Sequence, residues 1–294
     1  MNNSGSRLPA FYGTGVALVT PFTPGFAVDY AGWRHLLDFC IEGGAEYLVV
    51  NGTTGESPTT TAAEKVELLR TAKAHVAGRV PLVYGIGSND TATAEELLRT
   101  TDLSGVAAVL SASPAYNKPS QAGLIAHYLR LAEASPVPLI LYNVPGRTAS
   151  NLTAETTLRL AKHPNIIGIK EASGLLEQCL TIASLKPRDF LLLSGDDLLT
   201  SALIACGAVG TISVLANALP KRFSDMTRAA LAGDFATARH ELFRLLPLNP
   251  LMYEESNPVG VKAALEALGV CGAAVRLPLL EATPGLKERI SKAL

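Results

Sequence analysis

Lys170 closes the apolar run "NIIGIKEAS", residues 165–173, and its amine is the side chain in this sequence best suited to bonding covalently with a substrate. Taking a charged lysine out of water costs several kcal/mol unless it is paired or gives up its proton. In water, with a pKa of about 10.4, a lysine is neutral in roughly one molecule in two thousand at pH 7, and desolvation raises that nucleophilic fraction. Such an amine favours Schiff-base chemistry with a carbonyl substrate. The plainer alternative is a structural lysine paired with Glu171 or Asp196. Tyr142 in "YNVPGRT" and Tyr116 in "SPAYNKPS" would be half-buried packing if taken singly. Beside the hydroxyls of Thr53 and Thr54 in "NGTTGES" they can instead carry protons to and from a carbinolamine, an enamine and an aldol oxygen. Arg147 follows Pro145-Gly146; it is either a surface arginine or a guanidinium fork for a substrate carboxylate. Asp196 and Asp197 either meet a substrate amino group or serve structure.

These residues need a scaffold that gathers strand ends. Eight short apolar runs bounded by Gly, Pro or Asn read as strands: "GVALVTPF" from Gly15, "YLVVNG" from Tyr47, "VPLVYGIG" from Val80, "AAVLSAS" from Ala107, "PLILYNVP" from Pro138, "IIGIKEA" from Ile166, "FLLLSGDD" from Phe190 and "GTISVLAN" from Gly210. Their near-continuous apolarity implies a parallel sheet covered on both faces. The segments between them carry helix signals. Asp29 is an N-cap ahead of Trp33, Leu36, Leu37, Cys40 and Ile41, and Gly43-Gly44 is the stop. Thr61 and Glu64 form a capping box, further helices open at Thr93, Ser120 and Thr153, and Pro164 and Pro187 follow two helix ends. The expected fold is a (β/α)8 TIM barrel over residues 1–231, with a C-terminal helical extension over 232–294 that carries patterns at 236–246 and 259–268. An open doubly wound sheet is disfavoured because no GxGxxG turn follows the first strand. In such barrels catalytic groups project from the C-terminal strand ends, where the polar clusters fall. Alternation puts Ile166, Gly168 and Lys170 on the face toward the barrel axis and Ile167 and Ile169 on the other, with Gly168 leaving room for a small molecule.

Composition narrows the function. The 294 residues are 48% hydrophobic with a formal net charge of −1, so no long-range field favours nucleic acid or an anionic membrane. The cysteines (Cys40, Cys179, Cys206, Cys271) are dispersed, as suits reduced thiols in the cytoplasm, and the N-terminus lacks an apolar export segment. The uncharged stretch from Leu198 to Pro220 is too polar and too broken for a membrane span. No HxH or HExxH spacing points to a metal, and no cofactor motif is present. The loops "SGDD" and "SVLANALP" lack the Gly-rich amides a phosphate needs.

In combination, "GTTGES", "PAYNKPS", "LYNVPGRT", "NIIGIKEAS", "LLSGDD" and "NPVGVK" resemble the dihydrodipicolinate synthase and N-acetylneuraminate lyase family of lysine-dependent aldolases, over essentially the whole chain. The resemblance implies that Lys170 forms an imine with pyruvate and that Tyr142 is the acid/base. It implies that Thr54 links Tyr142 to Tyr116 of an adjacent subunit, while Thr53 and the "GTTG" amides hold the pyruvate carboxylate. It implies, too, that Gly195, Asp196 and the Ile212 backbone carbonyl border the site. Arg147 fits the synthase branch, whose second substrate, L-aspartate 4-semialdehyde, brings another carboxylate to a step of the diaminopimelate route to lysine. The implied assembly is a homotetramer, a dimer of dimers. Relatives inhibited by lysine share a tyrosine, histidines and a glutamate where this chain has Ala115, Ala62, Lys65 and Thr93, although Ser57 and Asn89 remain, so inhibition is expected to be weak or absent. The competing readings are another pyruvate-dependent lyase or dehydratase acting on a sugar acid, and a catalytically silent barrel that binds a small acid.

Overall fold

In the computed structural model, which describes residues 8–294, each apolar run becomes one strand; the expectation for the extreme N-terminus concerns residues 1–7 and lies outside the described residues. The strands are β1 (Gly13–Ala17), β2 (Tyr47–Val50), β3 (Leu82–Gly85), β4 (Ala108–Ala112), β5 (Leu139–Asn143), β6 (Ile166–Glu171), β7 (Leu191–Ser194) and β8 (Gly210–Ser213). They pair in parallel and in chain order, and β8 closes on β1. The helices are α1 (Tyr30–Glu42), α2 (Ala62–Val76), α3 (Thr91–Thr100), α4 (Gln121–Ala134), a single turn α5 (Pro145–Thr148), α6 (Ala154–Leu160), α7 (Leu176–Leu185), α8 (Thr200–Ala205), α9 (Pro220–Leu231), α10 (Phe235–Leu245), α11 (Val259–Ala267) and α12 (Pro284–Ala293). This is a (β/α)8 TIM barrel with C-terminal helices. None of the described helices is long and apolar enough to cross a membrane.

Local chemistry sets the helix starts. Asp29, Thr61, Ser120 and Thr153 cap α1, α2, α4 and α6 with side-chain acceptors, and Thr61 and Glu64 complete the capping box. The third helix opens earlier than Thr93: the Asp90 carboxylate accepts from the amides of Ala92 and Thr93, so the helix begins at Thr91. The first strand likewise starts at Gly13 and ends at Ala17, because Leu18 to Phe22 leave the sheet. Two cores result. Side chains such as Val49, Leu110, Ile140, Leu193 and Ile212 fill the barrel axis, floored by Phe11, whose ring meets Tyr47 edge-on at 5.5 Å. A second cluster lies between sheet and helices, and it runs without a break into Met252, Val259, Leu265, Leu286 and Ile290 of the C-terminal region.

The alternation expected along β6 holds only from Gly168 onward. Ile166 pairs with Leu139 and Gly168 with Ile140, so one extra residue is accommodated at Ile167. The bulge turns Ile166 outward to the helix-facing core and Ile167 inward, the reverse of the expectation. It also corrects the role of Gly168, which leaves no space for a ligand: a Cβ there would lie 2.6 Å from Leu191 Cβ, so glycine permits close approach of β7. Ile169 outward and Lys170 inward follow in normal register.

Candidate active site

Lys170 and Tyr142 are direct cross-strand partners on β6 and β5. The lysine is 4% exposed, and its Nζ lies over the Tyr142 ring, 4.3 Å from the centroid. The acid expected as its structural partner is engaged elsewhere. Glu171 faces outward, where its carboxylate accepts from Asn143 Nδ2 (3.0 and 3.1 Å), Gln178 Nε2 (2.9 Å) and the Ser173 amide (2.7 Å). Asp196 Oδ1 instead accepts from the amides of Leu198 and Leu199 at 3.0 and 3.2 Å, fixing the turn after β7. Gly195 has a steric reason: a Cβ would sit 3.1 Å from Lys170 Cε and 2.6 Å from Ala172 Cβ, so only glycine lets the lysine stem cross the end of β7.

Two chambers meet above this pair. The inner one, about 470 Å³, brings together Lys170, Tyr142, Thr54, Arg147, Gly195 and Asp196. The outer one, about 490 Å³, shares Tyr142, Val144 and Arg147 with it and adds Thr53, Ser57, Lys65, Asn89 and Ala115. A groove of about 580 Å³ between α1, α9 and α10 is larger than either, but it contains none of these groups. The two threonines part because Thr53–Gly55 is a tight 3-10 turn, flanked by Asn51 (φ 61°) and Glu56 (φ 53°) in left-handed conformation. Non-glycine residues held there cost backbone strain, which functional loops store. Arg147 is exposed on α5 and makes no ion pair among the described residues, so its guanidinium is free for a carboxylate.

Three expected site residues stand apart. The Ile212 side chain is wholly buried among the axis residues and lines neither chamber, so only its backbone carbonyl can serve the site. Thr53 lines only the outer chamber of the two. Tyr116 lines neither; it is 89% exposed at the centre of a three-residue turn, with φ 73° and Asn117 N–H donating to Ala115 C=O at 2.9 Å.

The C-terminal region supplies side chains that no sequence motif marks as functional. Asn249, Tyr253 and Asn257 line the inner chamber. Asn257 Nδ2 donates to Thr54 Oγ1 at 3.0 Å, and the Tyr253 hydroxyl donates to Asp197 Oδ2 at 3.4 Å. Asp197 Oδ2 also accepts from the Leu215 amide at 2.8 Å, while its Oδ1 is buried without a partner. Burial raises the Asp197 carboxyl above its ordinary range, opposed by Ser213, the Leu215 amide and the Lys170 charge. Burial and the neighbouring Asp197 and Asp196 charges push the Tyr253 phenol far up. The signal for this contribution was "NPVGVK", an Asn-Pro pair ahead of a helix bearing an otherwise unexplained lysine.

A buried amine stacked on a phenol, hydroxyls beside it and a free guanidinium at the rim can form and protonate an imine of a keto acid. Comparison with known proteins agrees. Residues 10–294 match the model of the dihydrodipicolinate synthetase family. A 4-hydroxy-tetrahydrodipicolinate synthase of Cytophaga hutchinsonii is 52% identical over 283 residues, 96% of this chain and 95% of the relative. The crystal structure of a chloride-inhibited dihydrodipicolinate synthase from Acinetobacter baumannii, complexed with pyruvate, superposes with a TM-score of 0.93 at 37% identity, covering 96% of this chain and 97% of that one. A monomeric dihydrodipicolinate synthase variant gives 0.94 at 34% identity, covering 98% and 97%. The chain therefore belongs to the dihydrodipicolinate synthetase family.

Proposed function

We propose that the chain condenses pyruvate with L-aspartate 4-semialdehyde, the 4-hydroxy-tetrahydrodipicolinate synthase reaction, in the cytoplasm. The observation that carries this reading is the amine of Lys170, buried against the Tyr142 ring in a chamber that also holds an unpaired Arg147. Lys170 attacks the keto carbon of pyruvate and the keto oxygen leaves as water, with Tyr142 passing the protons. The enamine adds to the aldehyde, and the substrate amino group then cyclises onto the imine carbon and displaces Lys170. Arg147 holds the carboxylate of the semialdehyde, and Asp196 faces its amino group. The Ile212 carbonyl and Gly195 border the pyruvate.

The chamber placement supports exchanging the threonine roles implied by the resemblance. Thr54, beside Lys170, is assigned to the pyruvate carboxylate, and Thr53, in the chamber bounded by Ala115, to the relay between Tyr142 and Tyr116. A bulky residue in a strained turn, presenting its ring to solvent, fits a Tyr116 that enters the site of a second copy. Exposed leucines along α7 (Leu176, Leu180, Leu185) favour a further contact, consistent with a homotetramer built as a dimer of dimers.

The test is product formation from pyruvate and aspartate semialdehyde. Arg147→Ala should raise the KM for the semialdehyde by about 10- to 100-fold, the worth of a hydrogen-bonded charge, while pyruvate is still trapped on Lys170 by borohydride. Cleavage of a sugar acid with no turnover of the semialdehyde would overturn the assignment. Lysine at millimolar concentration should leave the rate unchanged. Of the four substituted positions only Ala115 and Lys65 line the outer chamber, offering a methyl group and a second cation where an amino acid would need recognition.

A further inference from the structure

The C-terminal region grips the catalytic turn at two points. Asn257 meets Thr54, and five residues further on Lys262 meets Glu56, its Nζ 2.5 Å from Oε1. All four side chains are buried, with Thr54 2% and Asn257 7% exposed. The spacing fixes one segment against the other in a single register. A threonine hydroxyl has one proton to give and two lone pairs to receive. With an Asn257 N–H on one lone pair, the Thr54 proton is left for another acceptor, and both residues line the inner chamber with Lys170. Asn257 Oδ1 is itself buried without a partner. It therefore competes with no other bond and marks the side from which no protein donor approaches.

We infer that Asn257 is a positioning residue for the keto-acid site: its N–H polarises Thr54 so that the Thr54 proton is presented to the incoming carboxylate, with the Glu56–Lys262 pair holding Asn257 in place. This makes the segment from Asn249 to Lys262 part of the active site, and it rests on the reading that Lys170 forms an imine with pyruvate.

An isosteric and a truncating substitution at this position separate positioning from packing. Asn257→Asp keeps the shape but can only accept; it takes the Thr54 proton and places a negative charge beside the substrate carboxylate. Asn257→Ala removes the donor together with the rest of the carboxamide, and introduces no charge. The pyruvate concentration for half-maximal borohydride trapping, and the pyruvate KM, should rise about tenfold in Asn257→Ala and more, toward 100-fold, in Asn257→Asp, with kcat changing much less. A purely steric role, in which the side chain only fills space, predicts the opposite order, with the isosteric aspartate the milder change. Failure of the wild type to trap pyruvate sinks the functional reading itself. A wild type that traps, with Asn257→Asp equal to it or milder than Asn257→Ala, overturns only the inference. Should Asn257→Asp not fold, an unchanged half-saturation in Asn257→Ala overturns it alone.

Discussion

Lys170→Met should abolish the mass adduct that borohydride and pyruvate leave on the wild type, and lower kcat/KM by on the order of 10⁴- to 10⁶-fold, the range seen when a covalent nucleophile is deleted. Methionine is the informative replacement because it keeps an unbranched stem. That stem passes Gly195, where there is no space for a branch, and carries Nζ over the Tyr142 ring. The substitution therefore removes the amine and little else. Folding should survive, since an apolar side chain at a 4% exposed position avoids the desolvation cost of an ammonium group. Electrospray mass after trapping, steady-state rates and the thermal midpoint check the three parts separately. A variant that still gains the adduct would move the nucleophile to another lysine. One that loses activity together with its folded state would show Lys170 to be structural.

The sequence made this residue legible because its surroundings are local. Parallel strands buried on both faces read as unbroken apolar runs, so a lysine at the end of one stands out, as do the Asp29, Ser120 and Thr153 caps that bond within three residues. What depends on pairing between strands was not legible. The bulge at Ile167 follows from how β6 registers on β5, and period-two alternation has no means of expressing it. The division of Thr53 from Thr54 follows from a 3-10 turn rather than from a strand. Helix α12 lies outside the patterns at 236–246 and 259–268, although its signals are local: Thr283 caps it, Pro284 follows and Leu286 and Ile290 are four apart on its buried face. The clasp of Asn257 and Lys262 on the catalytic turn spans more than 200 residues, and no local pattern could announce it.

The same clasp gives the largest expected change in stability. Lys262 is fully buried; besides Glu56 it donates to the Ala274 carbonyl at 2.7 Å, and its Nζ lies 4.2 Å from the centre of the Phe22 ring. Glu56 completes its own shell with the Arg276 amide at 3.0 Å. Burial pulls the Lys262 amine below its ordinary range, and the Glu56 charge opposes that pull. Removing one partner strands the other's charge in the core, which costs about 3–5 kcal/mol, a large share of the ~5–15 kcal/mol that holds a folded protein together. Lys262→Met should therefore lose that amount in urea unfolding, and lose activity as well, because Glu56 lies two residues from Thr54 and closes the turn in its own left-handed conformation. Glu56→Gln combined with Lys262→Met should recover most of the stability: the glutamine carbonyl can still accept from Arg276, and no charge remains buried. If Lys262→Met costs under about 1 kcal/mol, the pair is replaceable by water. If the double variant is no better than the single one, the Ala274 carbonyl and the packing around Phe22 carry the energy, and the ion pair serves only to set the register between the barrel and its C-terminal cover.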